Sequence, residues 1–142
     1  MTQIEALKAI AKRDGGLLRP QAVVDAARPE SSPLHGAFCW DDTEAADKYR
    51  ILQAQQLIRS FRVEVVCNRT KVEVPVFIGV STDRTEGKAE NPYRLASDVA
   101  QDGDLLAIAE HDALEQLQGL RKRLGYLKRL DDIWTAIDAH GK

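Results

Sequence analysis

The chain has 142 residues, 44% of them hydrophobic and 30% charged, with 20 Lys and Arg against 22 Asp and Glu. That length fits one domain, or a small domain with a helical extension, and can bury a real core. No apolar run approaches the roughly 20 residues of a membrane span, and the N-terminal stretch reads as an amphipathic helix without a signal-peptide h-region, so a cytoplasmic location is expected.

Ile4, Leu7, Ile10 and Ala11 recur at helical spacing, and Gly15-Gly16 ends this first helix. Pro20 stands where a proline opens a second helix, with Val23, Val24 and Ala27 as its buried face, and Pro29 stops it. The stretch from Pro29 to Phe38 holds two prolines and a glycine and reads as a loop. A third helix is expected from Asp42 to about Phe61, its acidic start matching the positive end of the helix dipole. Ile51, Ala54, Leu57, Ile58 and Phe61 form its apolar stripe, while Lys48, Gln55, Arg59 and Arg62 collect on another side.

RVEVVC and KVEVPVFI then alternate β-branched and polar residues around Asn68-Arg69-Thr70, a hairpin signal. Pro75 cannot donate to a ladder, so its strand is expected at an edge or with a bulge. From Ser81 to Pro92 the composition turns polar and aperiodic, which suits a connecting or mobile loop. Tyr93 to Val99 suggests a short helical turn. From Asp104 to about His140 the pattern is helical, with a break suggested at Gly125. Leu117, Leu120, Leu124, Leu127 and Trp134 keep coiled-coil-like spacing, interrupted by Asp131, so one long helix and two shorter packed helices are both open.

The run Ser32-Pro33-Leu34-His35, Phe38, Trp40-Asp41-Asp42, Ala45-Ala46, Tyr49-Arg50, Ala54 and Leu57-Ile58 resembles a group of small uncharacterised phage and prophage proteins. Tyr93-Arg94 and the later Arg121, Arg123 and Tyr126 are similar to their second half, so the likeness covers most of the chain from Gly16 onward. The resemblance implies a mobile-element origin, with host cytoplasm as the compartment and a bias toward DNA transactions, regulation or virion assembly. It brings no catalytic residues with it.

The element order helix, helix, helix, hairpin is that of a winged helix, whose third helix and wing usually meet DNA. Lys48, Arg59, Arg62, Arg69 and Lys71 are the candidate phosphate contacts and Gln55 the candidate base-edge contact. Each has a plainer reading, a solvated helix face or an exposed turn. Asp41, Asp42, Glu44 and Asp47 at the helix start would repel phosphate, and a globally basic footprint is missing. Residues 1–71 carry 11 cations against 9 acids, residues 72–142 carry 9 against 13.

The basic group Arg121-Lys122-Arg123 with Lys128-Arg129 is better explained by the acidic stretch before it and by a helix end. His35, His111 and His140 lack partners at metal-ligand spacing, and His35 is expected to bond nearby backbone. Trp40 and Phe38 read as anchors for the loop. Cys39 and Cys67 are expected to be buried small apolar residues. Asp41-Asp42 and Asp131-Asp132 read as helix starts rather than as a Mg²⁺ site, and no nucleotide, hydrolase or zinc motif occurs.

The expected architecture is α+β and mainly helical. It comprises a winged-helix-like part over 1–80, a polar connection over 81–92 and a C-terminal long helix or helical hairpin over 93–142. The leading function is a non-enzymatic DNA-binding protein of phage or mobile-element origin, regulatory or architectural, without cofactor. It would be a homodimer or higher oligomer, with Leu117, Leu120, Leu124, Leu127 and Trp134 as the dimerisation residues. The alternative is a protein–protein interaction or assembly module with a phage or host protein as partner, in virion assembly or on host machinery, and with no DNA contact.

Overall fold

The computed structural model describes residues 1–41, 44–84 and 91–140. The protein is α+β and mainly helical, with two small antiparallel two-stranded sheets. Helix α1 (Gln3–Arg13) opens on a capping box in which Thr2 and Glu5 satisfy each other's backbone N–H groups. It closes where Gly15 and Gly16 take φ of 72° and 93°, which residues with a β-carbon rarely adopt. Helix α2 (Pro20–Ala27) starts on its proline as expected, and Val23, Val24 and Ala27 are buried. The loop that follows contains one 3₁₀ turn, His35–Ala37.

Helix α3 (Glu44–Ser60) packs on α2. Its inward stripe joins Leu7, Ile10, Leu18, Val23, Val24, Leu34 and Phe77 in one apolar core through Ala54 and Ile58. Full burial of each large aliphatic side chain stabilises the fold by about 1.5–3 kcal/mol. Of the two expected helix-opening residues, Asp41 precedes α3 and Asp42 lies outside the described residues.

Strands β1 (Arg62–Cys67) and β2 (Thr70–Pro75) pair in register Cys67↔Thr70 through Arg62↔Pro75. The sequence suggested a single strand through Ile78, but the chain changes partner at Val76. After that residue, β3 (Phe77–Ile78) pairs with β4 (Arg94–Leu95) instead. Val76 itself donates to Phe61 O at 3.0 Å and accepts from Ala96 N at 2.8 Å, so it is the hinge between the two sheets. Pro75 fits because its register position alternates with hydrogen-bonded pairs and calls for no N–H from it.

Tyr93 to Val99, expected as a helical turn, divides differently. Tyr93 bridges to Leu18, β4 follows, and helix α4 (Ala96–Gln101) begins only at Ala96. The polar connection expected over 81–92 falls partly outside the described residues. Its described start is tied down, since Ser81 N donates to Asp112 at 2.9 Å and Asp83 pairs with Arg94.

The C-terminal segment is a helical hairpin: α5 (Gly103–Leu124), a 3₁₀ turn at Lys128–Leu130, and α6 (Asp131–His140). The break falls at Gly125, where a β-carbon would lie 2.6 Å from Arg121 O. Asp131 starts α6 rather than interrupting a continuous seam. No helix of the described residues is long and apolar enough to cross a membrane.

Candidate nucleic-acid interface

The β1–β2 ribbon carries few buried atoms along its length. The pleat and the register sort its side chains onto two faces. Val63, Val65, Val72 and Val74 share one, while Arg62, Glu64, Val66, Lys71 and Glu73 share the other. The valine face overhangs a groove of about 410 Å³ whose far wall includes Lys8, Leu95, Ala96 and Ala100.

The connection is tighter than the three residues suggested by the sequence. Only Asn68 and Arg69 lie between the strands, with φ of 50° and 68°. A two-residue turn with both central residues left-handed follows the natural twist of the ribbon, and glycine is favoured at its second position. Here that position holds arginine, and its side chain is exposed.

The remaining candidate cations are on the surface, each in a distinct setting. Lys71 stands 3.6 Å from Glu64 across the ribbon, with both side chains more than half exposed. Arg62 donates Nη2 to Glu73 O at 3.0 Å, holding it along the ribbon base. On α3, Lys48, Gln55 and Arg59 lie within about 40° of one another at 100° per residue. Lys48 and Arg59 are exposed and Gln55 is half-buried. Arg59 donates Nε to Tyr93 Oη at 3.0 Å and lies over the same ring. With Arg84, Tyr93 and Gln116 it lines a recess of about 360 Å³. The structure thus groups Lys48, Gln55 and Arg59 on one helix face, groups Arg62 and Lys71 on one ribbon face, and sets Arg69 at the tip.

One cation of α3 does something the helical wheel could have flagged. Arg50 stands at four-residue spacing from Ala46 and Ala54, inside the buried stripe, and is only 3% exposed. It donates Nε to Cys39 O at 3.0 Å and Nη2 to Asp41 O at 2.8 Å, and its Nη1 meets Asp47 at 3.1 Å. A forked guanidinium suits this work because it can bond several acceptors in fixed directions. Arg50 therefore fastens the loop before α3 to the helix itself.

The loop residues serve the same fastening. His35 hydrogen-bonds through Nδ1 to Ala27 O at 2.9 Å, which requires the proton on that nitrogen, since a carbonyl only accepts. Trp40 donates to His35 O at 2.9 Å, and the two rings stack with centroids 5.0 Å apart. The cysteines depart from expectation: both are exposed. Cys67 ends β1 beside the ribbon tip, and Cys39 lies in the loop that Arg50 holds, so neither is buried in the core.

The five residues expected to mediate dimerisation divide. Leu117, Leu120 and Leu124 lie on α5, and Leu127 lies in the turn beyond it. Trp134 is buried inside its own hairpin, donating to Leu127 O at 3.2 Å beneath Arg121. Arg121 also pairs with Asp138 at 3.3 Å, so part of the basic group serves the hairpin.

Two electrostatic ties frame the connection between the sheets and α5. Arg94 makes a two-point pair with Asp83, and this hydrogen bond raises the guanidinium pKa further. Hydrogen bonds from the Ser81 side chain and backbone hold the Asp112 carboxyl below its ordinary range. Among the described residues, no group of His, Cys, Asp and Glu could hold a metal ion.

Comparison with protein-family models, with curated proteins and with solved structures returns no match.

Proposed function

We propose that this is a non-enzymatic DNA-binding protein of mobile-element origin, with a winged-helix-like N-terminal part that reaches the duplex mainly through the β1–β2 ribbon. The observation that carries this reading is Arg69, an arginine held at φ 68° where glycine is conformationally favoured. A left-handed conformation costs a residue with a β-carbon roughly 1–2 kcal/mol. A cation retained at that cost on the tip of an exposed ribbon is accounted for by a phosphate contact. A two-stranded ribbon also has the dimensions to enter a major groove.

Lys71 and Lys48 extend the contact. The Lys71–Glu64 pair is a surface pair, worth at most about 1 kcal/mol, so phosphate can displace it. Arg59 and Arg62 spend one hydrogen bond each on the chain in the contacts described above, and a guanidinium has five N–H donors. Gln55 on the same helix face as Arg59 remains the candidate for a base edge.

The test is fluorescence anisotropy of a labelled duplex against salt. Affinity should fall steeply between low and moderate salt, and Arg69→Ala and Lys71→Ala should each flatten the slope by about one. Folded protein that fails to bind at low salt rejects the reading.

A second reading, a protein–protein or assembly module, is favoured by a specific observation. Val63, Val66 and Val72 are 47%, 70% and 41% exposed, which is unusual for a ribbon that meets only phosphate and solvent. The net charge of −2 also suits it.

A further inference from the structure

Helix α5 is 22 residues long and none of them is buried, although it carries many leucines. Its neighbours occupy only part of its circumference. Asp112 marks the side tied to Ser81, and Arg121 marks the side tied to α6. Between these sides, at 100° per residue, Leu106, Ala109, Ala113, Leu117, Leu120 and Leu124 gather into a stripe about 80° wide and about 27 Å long. Leu106 and Leu117 are 37% and 43% exposed. A shallow groove of about 620 Å³ runs beside Ala113, Leu117 and Leu120.

The stripe is symmetric about Glu115. Leu106 and Leu124 are equally distant from that point, as are Ala113 and Leu117, while Ala109 and Leu120 differ by one residue. Turning the helix end for end therefore superposes the stripe on itself and sets Ala113 against Leu117, and Ala109 against Leu120. Small residues facing large ones let two helices interdigitate closely. The charges have the same sense. Glu110 and Asp112 flank the stripe in the first half of α5, and Arg121 and Arg123 flank it in the last turn, while Asp104 and Lys122 face away from it. Glu110 and Arg121 also sit on the same edge of the stripe, at similar distances from Glu115.

From this self-complementarity we propose that α5 is a self-association surface whose occupant is α5 of a second copy, paired antiparallel on a two-fold axis that crosses the stripe at the level of Glu115 along the helix. An antiparallel pair places each acidic half along a basic half, whereas a parallel pair places cations beside cations. The surface is distinct from the ribbon, and the two readings stand or fall separately.

Sedimentation equilibrium on the full chain at tens of micromolar should give a dimer. Leu117→Glu should give a monomer with unchanged helical circular dichroism, because the side chain is substantially exposed in one copy. Ala113→Glu, also at an exposed position, serves if that variant fails to fold. A monomeric wild-type chain overturns the proposal, as does a dimer that both substitutions leave intact. Orientation is read by disulfide trapping in a Cys39→Ser, Cys67→Ser background. Mixed Leu106→Cys and Leu124→Cys chains should cross-link to one another, while neither should cross-link alone. Cross-linking of each variant with itself and not with the other overturns the antiparallel arrangement. DNA binding by a monomer, or a dimer that ignores DNA, tells which of the two readings failed.

Discussion

The guanidinium carbon of Arg50 lies 5.0 Å from the centre of the Trp40 ring, stacking a buried cation on the anchor of the loop it fastens. Arg28 approaches the same ring at 5.8 Å, and His35 stacks on it. The loop before α3 is thus fastened by a polar and aromatic cluster.

Arg50→Lys should destabilise the protein by about 1–3 kcal/mol, since an ammonium cannot replace the fork that serves the Cys39 and Asp41 carbonyls. Chemical denaturation followed by Trp fluorescence would measure this. A change below a few tenths of a kcal/mol would remove Arg50 from its fastening role.

Arg69→Gly separates folding from binding. Relief of the left-handed strain at φ 68° should raise stability by up to about 1 kcal/mol, while DNA affinity should fall. Thermal unfolding and anisotropy on the same preparation give both quantities. Unchanged affinity would make the tip arginine irrelevant to the duplex.

Glu64→Gln removes the carboxylate beside Lys71. Duplex affinity should increase and the salt slope should steepen, because Lys71 is released and a like charge to phosphate is gone. Stability should move by less than about 1 kcal/mol, as expected for an exposed pair.

The Ser81–Asp112 tie should be sensitive to acid. The Asp112 pKa is lowered in the folded protein by hydrogen bonds from Ser81. Its contribution is therefore fully present above the unfolded carboxylate value of about 3.9, and is lost as pH falls through the lower folded value. Asp112→Asn should reduce stability at neutral pH and leave a shallower acid limb in a pH titration of unfolding. An identical limb in both proteins would exclude Asp112 from it.

Much of the helical framework was legible because periodicity and punctuation agreed. Leu7, Ile10 and Ala11 pointed inward from α1, Pro20 opened α2, and Ala54 with Ile58 faced the core from α3. The ribbon was legible for the same reason. The candidate cations were legible only as residue types. Whether Arg59 turned to Tyr93, or Arg62 to a carbonyl of its own ribbon, depends on residues many positions away. Arg50 was readable in principle, as a charge inside an apolar stripe, and its bonds to Cys39 O, Asp41 O and Asp47 supply a reason it is there.

Local sequence by itself determined where α1 and α2 start and stop, which faces of α1 to α3 are apolar, and that Pro75 could not donate to a ladder. These follow from backbone sterics and from the period of side chains along a helix or strand. Tertiary structure alone decided that the strand after Pro75 would leave β1 for β4, that both cysteines would face solvent, and that Trp134 would be used up inside its own hairpin. Those outcomes depend on which distant segment offers an unpaired edge or an apolar surface, and no local pattern encodes that competition.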